Sequence, residues 1–386
     1  MEEDREYLVP DYYRKFSCKM GKCRTACCDG WPVSFSLEDY FKLASCECGE
    51  DLRRRMDMGI KVCLSPSPDR YAEIVPRYDG RCPMHRDDGK CAIQAELGES
   101  ALSHVCRLYP RGVKTSPYKE CALANSCEGV LELLFDIDEP LSFSKEKITI
   151  QPPPQGERTT VFNTFGREQE IRLWLISQLQ RREYPFPERL MLFGKSLQAL
   201  EQVLDAKEAY ALDKLLSGPF DGTPPSFEIG EEHLLYGIAT MERFTEFLND
   251  RSESLRGYGE RALKYFGEYD NCYGNYANAK RRFEKQFPKW EVWVEHMLVN
   301  SMFFEQFPFQ DRPIGLWNEF VAICAVYAIL RFLSLGCATD NMSEYVDMCA
   351  AVFRLINHTS FDSYAAGALF GLGCTDPQKI YNIIAL

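Results

Sequence analysis

The sequence predicts a mainly α-helical protein, in which a loop-rich and cysteine-rich N-terminal domain is followed by an irregular helical bundle. Three observations lead to this fold class. Twelve of the 17 cysteines lie before residue 128, in a stretch with many turn-forming residues. A proline tract interrupts the chain at residues 151–156, and apolar residues then recur at helical spacing almost throughout. With 386 residues, 45% hydrophobic and 26% charged, the chain has the composition of a globular protein of one or two domains.

The first 130 residues contain few long periodic stretches. Turns are expected at Asp29-Gly30, Asp79-Gly80 and Asp88-Gly89, because aspartate and glycine favour tight turns. One clearer element is a helix predicted over Glu99–Leu108, which Pro110 stops shortly afterwards. Apolar residues look too sparse here for a large core, so we expect a loop-rich domain.

The boundary between two domains is predicted at the proline tract. Residues 130–137 are an apolar stretch, and residues 141–150 alternate in the manner of a strand. The sequence QPPPQG at 151–156 then breaks regular structure, because proline fixes its own backbone and restricts the preceding residue. We therefore predict one domain over residues 1–150 and a second over residues 157–386.

Helices are predicted through nearly all of the second domain, packed as an irregular bundle because the connections are uneven. Their expected ranges are Arg167–Glu183, Glu188–Glu208, Glu231–Leu248, Glu253–Tyr269, Tyr276–Phe287, Lys289–Phe307, Leu316–Leu335, Ser343–Asn357 and a last helix from Pro377. The apolar run from Phe320 to Leu330 is shorter than the ~20 residues that cross a bilayer, so we expect a buried core helix and no membrane.

The net charge and the N-terminal sequence predict which kinds of partner and which cellular compartment are expected. The net charge of −12 makes nucleic acid an unexpected partner, since an acidic surface repels phosphate backbones. The basic stretch at Lys280, Arg281, Arg282 and Lys285 is interpreted as a solvated helix face. The first ten residues, MEEDREYLVP, do not resemble a secretory signal, which predicts a cytoplasmic protein. Clustered thiols in a reducing compartment are more often metal ligands or catalytic groups than disulfides.

The first cysteine cluster is Cys18-x4-Cys23-x3-Cys27-Cys28, followed by Asp29-Gly30-Trp31. Thiolates are soft ligands that select zinc, copper(I) or iron–sulfur centres. Structural zinc sites usually use paired cysteine knuckles, and an adjacent cysteine pair does not easily place both sulfurs on one tetrahedral ion. The spacing is therefore more compatible with a multi-iron cluster or with two centres, and zinc stays open.

A second set of cysteines follows at Cys82-Pro83, Cys91, Cys106 and Cys127, within RCPMHRDDGKCAIQAELGESALSHVCRLYPR and NSCEG. Together with the first cluster, this pattern resembles the flagellin lysine-N-methylase family, part of a wider group of cysteine-rich zinc- or iron-chelating proteins. A looser match lies downstream, in EHMLVN at 295–300 and FPF at 307–309. The eight cysteines that match the family pattern are Cys18, Cys23, Cys27, Cys28, Cys82, Cys91, Cys106 and Cys127.

The resemblance implies an enzyme that transfers methyl groups from S-adenosylmethionine to lysines of flagellin, with those eight cysteines ligating an iron–sulfur centre. The alternative is a non-catalytic interaction module in which zinc or iron only staples a domain that lacks its own core. A redox or metal-handling protein is a third class, because exposed thiols of low pKa are reactive. The sequence contains no strand–GxGxxG–helix cofactor motif and no C-x3-C-x2-C spacing.

Methyl transfer to lysine requires a neutral amine, whose ordinary pKa is ~10.4, so a base or an apolar wall must favour deprotonation. The catalytic candidates near the cysteines are Asp29 and Tyr109 as proton acceptors and Arg111 as a clamp for a carboxylate. Each also has a structural interpretation. Asp29 precedes a glycine and suits a turn, and Arg111 can donate hydrogen bonds to carbonyls of the metal loops.

Overall fold

The chain forms two compact units. The computed structural model describes residues 3–25, 27, 33–150, 152, 162–267, 271–310, 314–337, 341–357 and 359–386. The first unit contains residues 1–130 and 143–156, and the second contains residues 131–142 and 157–386. Segment 131–142, which the sequence interpretation assigned to the first domain, groups with the helical unit.

The first unit contains two sheets. Seven strands form them: β1 Glu3–Pro10, β2 Ser34–Phe35, β3 Ile60–Val62, β4 Ala72–Ile74, β5 Arg111–Lys114, β6 Glu120–Leu123 and β7 Phe143–Ile150. One sheet has the order β5-β6-β1-β7, in which β1 runs parallel to β6 and antiparallel to β7. The strand predicted at 141–150 is confirmed as β7. Its pairing with β1 runs from Glu3 opposite Ile150 to Pro10 opposite Phe143.

The second sheet, in the order β2-β4-β3, helps to build a core that the sequence interpretation did not expect. Four helices belong to this unit, α1 Leu37–Ser45, α2 Glu50–Gly59, α3 Ala92–Leu97 and α4 His104–Leu108, and α5 Glu128–Phe135 crosses the boundary between the two units. Side chains from β2, β3, β4 and α1 to α3 form one buried apolar cluster, which includes Phe35, Leu43, Met56 and Ile74. The expectation that this segment lacks a large core was wrong, because its scattered apolar residues converge.

The single helix predicted over Glu99–Leu108 was also wrong. Residues Glu99–Ala101 form one turn of 3-10 helix, Leu102 is extended, and α4 begins only at His104. The hydroxyl oxygen of Ser103 accepts the backbone N–H of Cys106, which starts α4 as an N-cap. Ser103 therefore fixes the position of Cys106 in the first turn of α4.

The mainly α-helical class is confirmed, and the described part of the second unit consists of helices and their connections. After α5 the helices are α6 Glu168–Leu179, α7 Phe186–Ala206, α8 Ala209–Leu216, α9 Glu231–Asn249, α10 Glu253–Phe266, α11 Cys272–Gln286, α12 Trp290–Glu305, α13 Leu316–Cys337, α14 Met342–Asn357, α15 Phe361–Gly371 and α16 Pro377–Ile384. Nine of them overlap the predicted helices, whereas α8 and α15 were missed.

Helix α13 is the central helix of this unit. It packs against α7, α9, α10, α11, α14, α15 and α16. Its 22 residues are long and apolar enough to cross a membrane, but 94% of its most apolar window is buried within the protein. The predicted buried core helix at Phe320–Leu330 is thus confirmed.

A buried ion cluster ties α12 to α7, to the connection between α6 and α7, and to segment 131–142. The carboxylate of Glu295 is fully buried and is paired with Arg189, which is itself 3% exposed, and with Arg182 at 2.8 Å. The neighbouring His296 is buried with its ring nitrogens 3.0 Å from the carbonyl oxygens of Leu134 and Glu139. The EHMLVN segment therefore organises the core of the helical unit.

Candidate functional site

Four of the predicted cysteine ligands lie around the loop that precedes β2. Burial, followed by the nearby charge of Glu128, raises the pKa of the Cys23 thiol to about 12. The next contributions to that pKa come from three thiolates, those of Cys127, Cys18 and Cys27. The charges of these three sulfurs therefore act on Cys23, although no three of the described thiols are close enough to bind one metal ion.

The other three described ligand candidates form an adjoining group at the edge of the apolar core. Burial raises the pKa of Cys106 to about 12, and the thiolates of Cys91, Cys27 and Cys82 add to the rise. Burial likewise raises the pKa of Cys91, with Cys82 and Cys27 contributing. Cys82 is buried within the apolar cluster, and Cys91 and Cys106 pack against it.

Cys27 is the thiol that connects the two groups. Its charge contributes to the raised pKa of Cys23 and of Cys127. It contributes in the same way to the raised pKa of Cys91 and of Cys106. Cys27 is exposed and acts electrostatically on four of the other predicted ligands, and Cys28 lies outside the described residues.

Backbone N–H groups point at several of these sulfurs. The N–H of Met20 donates to Cys18 Sγ at 3.5 Å. Cys91 directly precedes α3 and accepts N–H groups of Gln94 and Ile93, which oppose the rise in its pKa. Cys127 directly precedes α5 and accepts N–H groups of its first turn. Such donors favour thiolates, which are the form that binds metal.

A buried carboxylate anchors the first cysteine loop. Glu128, at the start of α5, is 4% exposed and accepts the ammonium of Lys19 at 2.8 Å. It also accepts the backbone N–H of Arg24 at 2.9 Å and that of Thr25 at 3.3 Å. Residues 19–25 are therefore held against the start of α5, directly after Cys127.

Two glycines allow the first cysteine loop to approach the hairpin that carries Cys91. Gly21 has φ of +84° and Gly89 has φ of +80°, and their backbones are in direct contact. A Cβ at position 21 would lie 2.9 Å from the carbonyl oxygen of Gly89. The turn predicted at Asp88-Gly89 is confirmed, and it serves as the contact surface between the two cysteine groups.

Replacing Gly89 with alanine is expected to destabilise the first unit more than the matched replacement Gly80→Ala. Both glycines adopt positive φ, which costs an L-residue about 1–2 kcal/mol, but a Cβ at Gly80 meets no atom within 4 Å. The Cβ of Gly89→Ala would also clash with the Gly21 carbonyl, adding about 1–3 kcal/mol. Urea unfolding of the full chain measures both variants, and equal losses would contradict the close approach.

A bound metal ion requires several ligating side chains around one point. Within the described residues there is no set of three or more His, Cys, Asp or Glu side chains close enough for this. The thiols nevertheless have the chemistry of soft ligands, and several of them are partly accessible or accept N–H groups. The eight-cysteine ligand set therefore stays a prediction.

The three catalytic candidates have different surroundings. Asp29 lies outside the described residues. The hydroxyl of Tyr109 is 3.1 Å from the hydroxyl of Ser126, the residue before Cys127. Arg111 lies in β5 with its guanidinium 5.5 Å from the ring centroid of Phe16. Tyr109 is thus placed beside a cysteine of the site, whereas Arg111 packs against the first sheet.

The four cysteines that the family pattern leaves out have separate surroundings. Cys46 and Cys48 interact with each other near the start of α2. Cys63 interacts with Arg70, and Cys121 lies in β6 beside Tyr13.

Two residues of the site escaped sequence reasoning. In the sequence, Glu128 is marked only by its position after Cys127. Its role could not be predicted, because its carboxylate accepts the backbone N–H groups of residues 24 and 25 only in the folded chain. Gly21 could have been suspected, since glycine beside a cysteine cluster suits close approach of backbones.

Comparisons with known proteins identify the helical part of the chain. The family described as the FliB lysine N-methylase C-terminal domain matches residues 172–366, which is half of the chain. Both downstream segments noted in the sequence, 295–300 and 307–309, fall inside this match.

Curated relatives point in the same direction. The chain is 27% identical over 146 residues to the lysine-N-methylases of Salmonella typhimurium and Salmonella choleraesuis, a match that covers 37% of this chain and 35% of each of those proteins. It is 26% identical over 142 residues to the flagellar biosynthetic protein FliU of Salmonella muenchen, covering 36% of this chain and 82% of that protein. No solved structure is significantly similar. On the extent of the family match, the chain belongs to the FliB lysine N-methylase family.

Proposed function

We propose that this protein is a lysine N-methylase that transfers methyl groups from S-adenosylmethionine to lysine side chains of flagellin. The observation that carries the proposal is the family match over residues 172–366. The names of the relatives add support, since two are lysine-N-methylases and the third is a flagellar biosynthetic protein. We place the activity in the cytoplasm, where reducing conditions keep thiols available, and every described cysteine is a free thiol.

We further propose that the two cysteine groups hold an iron–sulfur centre. The ligands would be Cys28 and the seven described cysteines of the site, which are Cys18, Cys23, Cys27, Cys82, Cys91, Cys106 and Cys127. When bound, such a centre supplies one-electron chemistry at the edge of the first unit. The N–H groups directed at Cys18, Cys91 and Cys127 support this assignment, because they stabilise sulfur in its thiolate form.

The non-catalytic alternative loses its main argument. A metal that only staples a domain is expected where the domain lacks a core of its own. Here the second sheet and helices α1 to α3 enclose a contiguous buried cluster, and the cysteine loops pack at its edge. A centre placed on an existing core is available for chemistry, although zinc in place of iron would still be compatible with the thiols.

The acceptor lysine has to react as a neutral amine. Its lone pair then forms the new N–C bond as the bond from the methyl carbon to the sulfonium sulfur breaks, and the displaced thioether leaves with the bonding pair. The proton on nitrogen is then lost to a base or to water. Tyr109 is the described candidate for that base, because its hydroxyl lies beside Ser126 at the cysteine site.

Methyl transfer is tested with purified flagellin, S-adenosylmethionine and the anaerobically purified chain. We expect added methyl groups on lysine-containing peptides, measured by mass spectrometry, and brown protein that contains iron and acid-labile sulfide. Flagellin incubated without the methyl donor is the control. A colourless protein that contains zinc and leaves flagellin unmodified would favour the interaction module instead.

A further inference from the structure

The helical unit contains a cleft that the proposed chemistry of the cysteines does not use. Its volume is about 700 Å³, within the range of small-molecule sites, and it opens among α7, α9, α11, α12, α13 and α16. Several aromatic side chains line it, including Tyr273, Tyr276, Trp290 and Tyr381. The cleft therefore has the size and the apolar walls that suit a ligand with a planar group.

Two buried polar side chains of α13 form the inner wall of the cleft. Arg331 is 3% exposed, donates from Nε to the Leu386 carbonyl at 2.8 Å, and lies 4.0 Å from the ring centroid of Trp290. Its Nη2 is paired with Glu284. Its Nη1 and the hydroxyl of the fully buried Tyr327 have no hydrogen-bond partner among the described residues.

Within the described part of the chain, each of these two groups lacks a hydrogen-bond acceptor. The Arg331 Nη1 group can only donate a hydrogen bond, and a tyrosine hydroxyl can donate one as well. A buried donor without an acceptor costs about 1–3 kcal/mol, and such groups in a native protein call for an explanation. A ligand that carries an anionic oxygen satisfies both donors at once.

Lys280 adds a second cation to the cleft. The sequence interpretation placed it on a solvated face with Arg281, Arg282 and Lys285, and those three are exposed. Lys280 is instead half-buried, and its ammonium donates to the Tyr276 hydroxyl at 3.1 Å. Burial, followed by the charge of Arg331, lowers its pKa. The interpretation as a solvated face was wrong for this residue.

The charges of the lining are balanced, which restricts the ligand. The ionisable side chains that line the cleft are three cations, Lys280, Arg281 and Arg331, and three carboxylates, Glu231, Glu284 and Glu291. A doubly charged phosphate would encounter those carboxylates at close range and is disfavoured. A zwitterion suits the lining better, because its carboxylate can reach the cations while its ammonium faces a carboxylate.

We propose that this cleft binds a small molecule with an amino-acid end joined to a planar ring system, with its carboxylate against Arg331 and Tyr327. This is the chemical class of S-adenosylmethionine, so the inference rests on the proposed function and gives the methyl donor a site on α13. It also accounts for the absence of a glycine-rich nucleotide motif in the sequence.

The test uses Tyr327→Phe in the full chain and measures binding of S-adenosylhomocysteine, the demethylated product, by calorimetry. The hydroxyl that is removed has no partner in the protein, so thermal stability should be unchanged or slightly raised. The dissociation constant should rise about tenfold, because one hydrogen bond to a charged group is lost. Adenosine, which lacks the amino-acid end, should bind the unmodified protein at least about tenfold more weakly.

Tyr345→Phe is the matched control, because Tyr345 is also buried in the helical unit but does not line the cleft. It should bind S-adenosylhomocysteine normally. Unchanged binding in Tyr327→Phe, no binding to the unmodified protein, or equal binding of adenosine would each overturn the cleft assignment. Tyr327-dependent binding without methyl transfer to flagellin would uphold the cleft and refute the proposed substrate.

Discussion

Replacing Glu295 with glutamine is expected to lower the free energy of unfolding by about 3–5 kcal/mol, the usual cost of breaking a buried ion pair from one side. Glu295 has no exposed surface and neutralises both Arg189 and Arg182. Burial lowers the pKa of Arg189, and the negative charge of Glu295 is the largest effect that opposes this. Without that charge, the buried guanidinium of Arg189 is left with a neutral amide and with the weaker, partly exposed Glu291 carboxylate at 3.8 Å.

The matched control is Glu170→Gln, which breaks an ion pair with Arg167 on the surface of the same unit. The Glu170 side chain is 54% exposed, and pairs of this kind contribute about 0–1 kcal/mol. Urea unfolding monitored by circular dichroism compares the two variants. A loss for Glu295→Gln no larger than that for Glu170→Gln would mean that the buried cluster does not stabilise the helical unit.

Replacing Cys27 with serine is expected to remove most of the bound iron. Cys27 is a predicted ligand whose charge acts on thiols of both cysteine groups, Cys23 and Cys127 in one and Cys91 and Cys106 in the other. A serine hydroxyl is a hard donor with little affinity for an iron–sulfur centre. Iron and acid-labile sulfide per chain, measured after anaerobic purification, report the loss.

Cys63→Ser provides the control for this measurement. Cys63 interacts with Arg70 and does not match the family pattern, so its replacement should leave the iron content unchanged. Iron that persists in Cys27→Ser, or that falls equally in both variants, would refute the assignment of Cys27 as the central ligand.

The helical half of the fold could largely be predicted from sequence. In α7, α9 and α13, apolar residues recur at helical spacing over more than four turns, so the local pattern is strong enough to specify the element. The shorter α8 and α15 carry too few turns for this. In the first unit the helix predicted over Glu99–Leu108 was wrong because the cap at Ser103 starts a new helix within an otherwise periodic stretch.

Long-range pairing explains most of what the sequence could not predict. Strand β1 pairs with β7 at the far end of the first unit, and nothing local in MEEDREYLVP indicates that partner. The same holds for the site. The cysteine pattern predicts a set of metal ligands, which stays a prediction, whereas Glu128 and the contact between Gly21 and Gly89 arise only when distant loops meet.

The most direct test of the whole account is methyl transfer to flagellin lysines by three anaerobically purified proteins: the unmodified chain, Cys27→Ser and Cys63→Ser. The measurement is the mass of flagellin peptides after incubation with S-adenosylmethionine. We predict added methyl groups on lysines with the unmodified chain and with Cys63→Ser, and none with Cys27→Ser. Flagellin left unmodified by all three proteins would contradict the assignment of methyl transfer to this protein. Flagellin modified equally by all three would contradict the requirement for the cysteine ligands.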